Sequence, residues 1–193
     1  MIRLADKQDI PAILEIYTPY VENTTVSFEY CAPTLAEFTA RFEHYTAQFP
    51  WLVWEEKGRI LGYAYACAPF TRAAYQWCAE VSIYLHPHAH RKGIGKKLYA
   101  ALESILTKQG YLTVYALITS QNTSSLAFHL AQGYAFRAEF PRQGFKMGHT
   151  LGVTWLEKTL NFVEYPQNAP VSVNQIVETD IFFQNNLDKF ALS

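Results

Sequence analysis

The chain has 193 residues, a formal net charge of -1, half of its residues hydrophobic and 16% aromatic. That length suits one domain with a sizeable core, and the composition is too apolar for a disordered chain. The balanced charge excludes a global basic field for nucleic acid, and no apolar run reaches the length of a membrane span, so neither nucleic acid nor membrane is an expected partner.

No leader of charged then apolar residues opens the chain, because Asp6, Lys7, Gln8 and Asp9 interrupt it early. Cys31, Cys67 and Cys78 are unevenly spaced and form no CxxC pair. They read as buried free thiols rather than a disulfide set or zinc knuckle. The cytoplasm is the expected compartment.

In chain order, Ile2-Arg3-Leu4 is a short strand. Asp6 caps a helix whose face is Ile10, Ile13, Leu14 and Tyr17; Pro11 is tolerated in its first turn and Pro19 is expected to stop it. Val21 to Pro33 reads as a loop or broken helix. Thr34-Leu35-Ala36-Glu37 is a capping box, so a helix runs to about Gln48. Trp51 to Glu55 and Arg59 to Ala66 flank Glu56-Lys57-Gly58 and predict a hairpin. Pro69 to Tyr75 is the loop into a central strand.

The stretch Ala79 to Leu106 organises the chain. Val81, Ile83 and Leu85 alternate with Ser82 and Tyr84, and Pro87 ends that strand. Gly93 and Gly95 open a helix lined by Leu98, Leu102, Ile105 and Leu106. The first helical turn offers unpaired N–H groups and the positive end of the dipole, with Arg91, Lys92, Lys96 and Lys97 around it. This suits a phosphate or pyrophosphate. The Walker pattern is absent, and Leu98 stands where a dinucleotide fingerprint needs its third glycine. By themselves the glycines fit either an anion cradle or a tight helix entry.

Beyond Gly110, Thr113 to Ile118 reads as a buried strand. Leu126 to Gln132 is a capped short helix after Ser120 to Ser125, ending at Gly133. Ala135 to Phe140 and Val153 to Leu160 are the last strands. The order predicts an α/β fold, a mixed central sheet flanked by helices. Residues 1–166 form the domain. Residues 167–193 form an extension whose Ile181, Phe182, Phe183 and Phe190 are expected to pack on the body or a partner chain.

At His90-Arg91-Lys92-Gly93-Ile94-Gly95 the chain resembles the GNAT superfamily of acetyl-CoA-dependent N-acetyltransferases, with His90 where that family has Gln or Arg. Thr24-Thr25-Val26-Ser27-Phe28, Pro50-Trp51-Leu52-Val53, Ala74-Tyr75-x-Trp77-x-Ala79-Glu80 and Gly144-Phe145-Lys146 narrow the likeness to its phosphinothricin N-acetyltransferase branch. The likeness runs to about Asn174. It implies the GNAT acyl-CoA N-acyltransferase fold, acetyl-CoA as co-substrate, no metal and a homodimer in which the Phe28 region completes the partner's pocket.

The resemblance also implies roles. Ile83, Tyr84 and Leu85 would bond the pantetheine arm by their backbone. His90, Arg91, Lys92, Gly93, Ile94, Gly95 and Lys96 would hold the pyrophosphate. Asn122 and Ser125 begin Asn-x-x-Ser-Leu-x-Phe-His-Leu-x-Gln-Gly-Tyr, in which His129 replaces the tyrosine usually placed by the sulfur. His129 is thus a candidate acid, or a histidine packed against CoA. Glu80, a solvated strand glutamate on its pattern alone, matches the family's catalytic base. Thr25, Phe28, Arg72 and Tyr75 are candidate acceptor contacts; Arg72 otherwise reads as a solvated loop cation, and Phe28 as an aromatic plug. His86, His88 and His90 suggest a metal site, but Pro87 breaks the strand that would align them, and imidazoles beside a phosphate cradle fit better.

The expected activity is N-acetylation of small amino acid analogues such as phosphinothricin, methionine sulfoximine and methionine sulfone. The alternatives are a peptide or polyamine N-acetyltransferase, and a non-catalytic acyl-CoA-binding domain.

Overall fold

The computed structural model describes residues 1–179, with side chains up to residue 176. The strands are β1 (Ile2–Leu4), β2 (Trp51–Glu56), β3 (Arg59–Cys67), β4 (Cys78–Leu85), β5 (Thr113–Thr119), β6 (Ala135–Lys146) and β7 (His149–Thr159). The helices are α1 (Ile10–Asn23), α2 (Leu35–Thr46), α3 (Ile94–Gln109), α4 (Thr123–Ala131) and α5 (Val173–Thr179). The strands form one seven-stranded sheet in the order β1-β2-β3-β4-β5-β7-β6. Every pairing is antiparallel except β4 with β5.

Strand alternation sends successive side chains to opposite faces and so builds two cores. On one face Leu98, Leu102, Ile105 and Leu106 of α3, each fully buried, meet Leu52, Ala64, Ala79 and Val81. Each such leucine stabilises the fold by roughly 1.5–3 kcal/mol. On the other face α1 and α2 bring Ile13, Tyr17, Phe38 and Phe42 against Trp51, Val53 and Tyr63. Thr34 and Glu37 cap α2 reciprocally, as their spacing requires.

Two boundaries differ from the sequence-based expectation. Pro19 does not stop α1, which runs to Asn23. Tertiary anchors beyond the proline outweigh its missing hydrogen bond: Val21 is fully buried and the Tyr20 hydroxyl donates to Leu85 O at 2.6 Å. The last hairpin is also longer than predicted. β6 continues past Pro141 and Gly144 to Lys146, and Met147 and Gly148 turn the chain with positive φ at both positions, the hairpin geometry. Proline and glycine read as breakers in sequence. Here they occupy an irregularity between Phe140 and Gly144 on an edge strand, where no ladder partner is lost. Smaller shifts affect α4, which starts at Thr123, and α2, which ends at Thr46.

The chain after β7 returns along the body. Asn168 O accepts from Trp77 Nε1 at 3.0 Å, and the buried Gln109 side chain donates to Val171 O at 2.8 Å. Val173 is buried in the α3 core. The expected packing of Ile181, Phe182, Phe183 and Phe190 lies outside the described residues. Among the described residues no helix is long and apolar enough to cross a membrane.

Candidate active site

β4 and β5 run together over only Cys78, Ala79 and Glu80, which face Thr113, Val114 and Tyr115. Beyond Glu80 they diverge and open a cavity of about 600 Å³, lined by β4, β5, the first turns of α3 and α4, and Tyr20 of α1. The β3 ladder determines what β4 presents to it. The His86 amide donates to Leu61 O at 2.9 Å, so alternate residues from that point bond to β3. Val81, Ile83 and Leu85 therefore turn their N–H and C=O groups to the cavity, while the backbone of Tyr84 is committed to Tyr63. Tyr20 and His90 converge on the exposed carbonyl of Leu85, at 2.6 and 3.2 Å.

The cavity's polar end is the entry to α3. Gly93 caps the helix with φ 77° and Arg91 also has positive φ, 60°, so successive amides curl into a concave nest. The first intrahelical bond, Lys97 N–H to Gly93 O, leaves the amides of Ile94, Gly95 and Lys96 without helical acceptors. Gly95 is closely packed: a Cβ there would stand 3.3 Å from the Phe128 ring and 3.4 Å from Ile83. Arg91, Lys92 and Lys96 are exposed around the nest. Lys97 instead turns away, its ammonium 5.6 Å from the centroid of Trp54. Asn122 caps α4 by accepting from Ser125 N–H at 3.1 Å, also at the cavity wall.

Glu80 is the last β4 residue paired to β5, and the next residue lines the cavity. It is half-buried and faces away from Ala79 and Val81, with Cys67 and Tyr115 as its register partners. No hydrogen bond reaches its carboxylate among the described residues. Burial alone raises its pKa, as a general base for an amine requires. Burial, then the Glu80 charge, pushes the Cys67 thiol up to about 12 and keeps it protonated.

His129 is buried, with both ring nitrogens engaged. Nδ1 lies 2.8 Å from Ser125 O, which only accepts, so Nδ1 carries the proton. Nε2 then accepts from the Tyr99 hydroxyl at 2.8 Å. Burial lowers the imidazole pKa, against the Ser125 bond. His129 is thus neutral and holds Tyr99, which also lines the cavity.

The acceptor candidates are less united. Thr25 and Val26 are tied to the end of β5, their carbonyls accepting from Thr119 Oγ1 at 3.0 and 3.2 Å. Phe28 packs on Gly144 of β6. Arg72 is exposed ahead of a 3-10 turn, Ala73–Tyr75, and no ion pair joins it to Glu80 among the described residues. Tyr75 lies 4.5 Å from Phe70, centroid to centroid.

That last contact leads to an aromatic wall that sequence reasoning missed. Phe70 stacks on Trp155 at 5.9 Å, and Trp155 lies 5.9 Å from Tyr115, the register partner of Glu80. The only signal in sequence is alternation within β5 and β7; which aromatics meet depends on register. Tyr99 was missed for a related reason, since it lies beside the leucine stripe of α3 and its partner is on α4. Among the described residues no group of three or more His, Cys, Asp and Glu side chains is placed to hold a metal ion. His86 instead caps a short turn, accepting from His88 N–H.

A parallel strand pair that splays beside a glycine nest is the decisive geometry, and it agrees with the comparisons. Residues 2–155 match the model of the acetyltransferase (GNAT) domain. The chain belongs to the GNAT acetyltransferase family. Among its relatives, the phosphinothricin N-acetyltransferase of Streptomyces viridochromogenes is 35% identical over 153 residues, 78% of this chain and 84% of that one. The L-methionine sulfoximine/L-methionine sulfone acetyltransferase of Salmonella typhimurium is 32% identical over 164 residues, 83% and 94% of the two chains. A crystal structure of a GNAT superfamily phosphinothricin acetyltransferase from Sinorhizobium meliloti with acetyl-CoA superposes with a TM-score of 0.81 at 35% identity, covering 89% of this chain and 92% of that one.

The GNAT cavity fits acetyl-CoA. The nest of amides at Ile94, Gly95 and Lys96, without helical acceptors among the described residues, suits a pyrophosphate, and the open edge of β4 suits an amide-bearing arm. Arg91, Lys92 and Lys96 supply the complementary charge.

Proposed function

We propose that this GNAT acetyltransferase transfers acetyl to the α-amino group of small amino acid analogues of the phosphinothricin, methionine sulfoximine and methionine sulfone type. The observation that carries the reading is Glu80, a half-buried carboxylate without a hydrogen-bond donor among the described residues where β4 leaves β5, between the cavity and the aromatic wall. The names of the relatives support the acceptor class.

Acetyl-CoA, when bound, supplies an activated thioester carbonyl. Glu80 takes a proton from the acceptor ammonium, directly or through a water, and the freed amine attacks that carbonyl. The amides on the open edge of β4 donate to its oxygen as negative charge develops there. As the thiolate departs, Tyr99 turns its hydroxyl proton from His129 Nε2 to the sulfur and takes in exchange the second proton shed by the attacking nitrogen; His129, its Nδ1 closed by Ser125 O, holds that hydroxyl in place. Arg72 is the cation assigned to the acceptor's carboxylate or phosphinate, and Tyr75, Thr25 and Phe28 wall the acceptor.

We further read the working form as a cytoplasmic homodimer. The edge strand β6 exposes Phe136, Phe140 and Phe145 at 56%, 44% and 59%, apolar surface spread over its two faces that suits a second copy. The free thiols of Cys31, Cys67 and Cys78 suit a reducing compartment. Light scattering tests the dimer, and a monomer at working concentration would refute it.

The functional test is CoA release from acetyl-CoA with phosphinothricin, methionine sulfoximine, methionine sulfone, ordinary amino acids and an N-terminal peptide, with Glu80→Gln as control. Turnover confined to the tetrahedral analogues and lost in the variant supports the reading. Turnover on the peptide alone would overturn the acceptor class.

A further inference from the structure

Consecutive residues at the end of β6 grip the loop that joins α1 to α2. Gly144 leaves room for the Phe28 ring, since a Cβ there would lie 2.6 Å from it. Phe145 O accepts from the Tyr30 hydroxyl at 2.8 Å. Lys146 is 5% exposed, and its ammonium donates to Val21 O at 2.6 Å and Ser27 O at 2.8 Å.

The Lys146 arrangement is unusual for an edge strand. An ammonium is costly to bury and is normally compensated by a bonded carboxylate. Here both acceptors are backbone carbonyls, one in the last turn of α1, where helical partners run out, and one in the loop. The rest of β6 is largely exposed, so burying Lys146 does not serve a core formed by that strand. The burial serves the loop. Ser27 is itself buried, shares a hydrogen bond with Tyr17 OH at 2.8 Å and accepts from Glu29 N–H at 3.3 Å. Glu29 pairs with Arg41 of α2 at 2.5 Å. At the loop's start Thr119 holds Thr25 and Val26, and Val26 lines the acetyl-CoA cavity.

We propose that Lys146 is a positioning residue for acceptor binding: from β6 it locks the 24–30 loop against the end of the cavity, with Gly144 and Phe145 as flanking points of the same latch. This rests on the reading that the loop walls the acceptor. A lysine suits the post because one flexible stem carries several donors to two carbonyls at once. An apolar chain of equal length leaves both carbonyls buried without a donor.

The test is Lys146→Met, with Gly144→Ala as the second variant should the first fail to fold. Acceptor KM, acetyl-CoA Kd and amide exchange of residues 24–30 are measured. Because buried carbonyls lose their donor, acceptor KM is expected to rise about tenfold while acetyl-CoA Kd stays within about twofold. Exchange in 24–30 should quicken while that of α3 does not. An acceptor KM at the wild-type value overturns the proposal, and so does weakening of acceptor and acetyl-CoA together, which would mark general loss of structure. Exchange is read whether or not the wild-type enzyme turns over these acceptors. A wrong acceptor class leaves exchange raised in the variant, whereas a wrong latch leaves it at the wild-type rate.

Discussion

The proposed donor side and the proposed acceptor side of this enzyme are built by different means. The donor side is nearly continuous in sequence: β4, the nest at Arg91 to Gly95 and the first turn of α3 follow one another and line one wall of the cavity. The acceptor side is a convergence. A loop after α1 is held by Thr119 of β5 and Lys146 of β6, and the aromatic wall takes Phe70 from a loop, Tyr115 from β5 and Trp155 from β7. On the proposed reading, the difference teaches that acetyl-CoA is held chiefly by backbone geometry, whereas the acceptor is met by side chains brought together from several elements.

The comparison breaks most sharply at Glu80, where the two sides meet. Glu80→Gln should lower kcat/KM for the acceptor by about 10²–10⁴-fold, the range of a lost general base, with acetyl-CoA Kd unchanged. Loss of acetyl-CoA affinity in the same variant would instead place Glu80 on the donor side. The variant should also be more stable at neutral pH. Burial raises the native pKa above the unfolded value, so charging Glu80 costs the native state stability as pH rises through that interval. Thermal denaturation should show the gain of Glu80→Gln near pH 7 and its disappearance below about pH 4, under the unfolded carboxylate value.

The next effect isolates the donor side. Gly95→Val places branched carbons against Phe128 and Ile83, already 3.3 and 3.4 Å from a simple Cβ. Acetyl-CoA affinity should fall by about tenfold or more, for overpacking costs of about 1–3 kcal/mol, while acceptor KM at saturating acetyl-CoA holds. Isothermal titration with CoA checks the first part and initial-rate kinetics the second.

The smallest effect concerns His129. Burial keeps it neutral, so below its unfolded pKa of about 6.5 the unfolded chain binds a proton that the native state refuses. Stability should fall as pH drops through that value, and His129→Gln should flatten the slope measured by urea denaturation between about pH 7 and 5.

What was legible in the sequence follows the same division. The leucine stripe of α3, the capping box at Thr34 and Glu37, the Pro87 stop and the nest glycines are patterns within one element, and each stands where its spacing places it. Pro19 misled because a breaker's local cost was weighed without tertiary anchors such as Val21, and the strand expected to end at Phe140 runs on to Lys146 as an edge of the sheet. Lys146 carried no sequence signal of burial, since a lysine at the end of an edge strand is ordinarily solvated.

The sequence by itself determined the α/β layering, the strand-to-helix crossing with its cradle and the position of Glu80 on the central strand, because these depend on periodicity and on contacts a few residues apart. Only the tertiary structure decided where β4 parts from β5, which nitrogen of His129 holds its proton, which aromatics meet, and that Lys146 holds Val21 and Ser27. The parting of β4 from β5, the aromatic contacts of Tyr115 and Trp155 and the reach of Lys146 depend on register between strands far apart in the chain, where a one-residue slip would send a strand's side chains to the other face, and the His129 tautomer depends on the packing of α3 against α4 that brings Tyr99 to its ring.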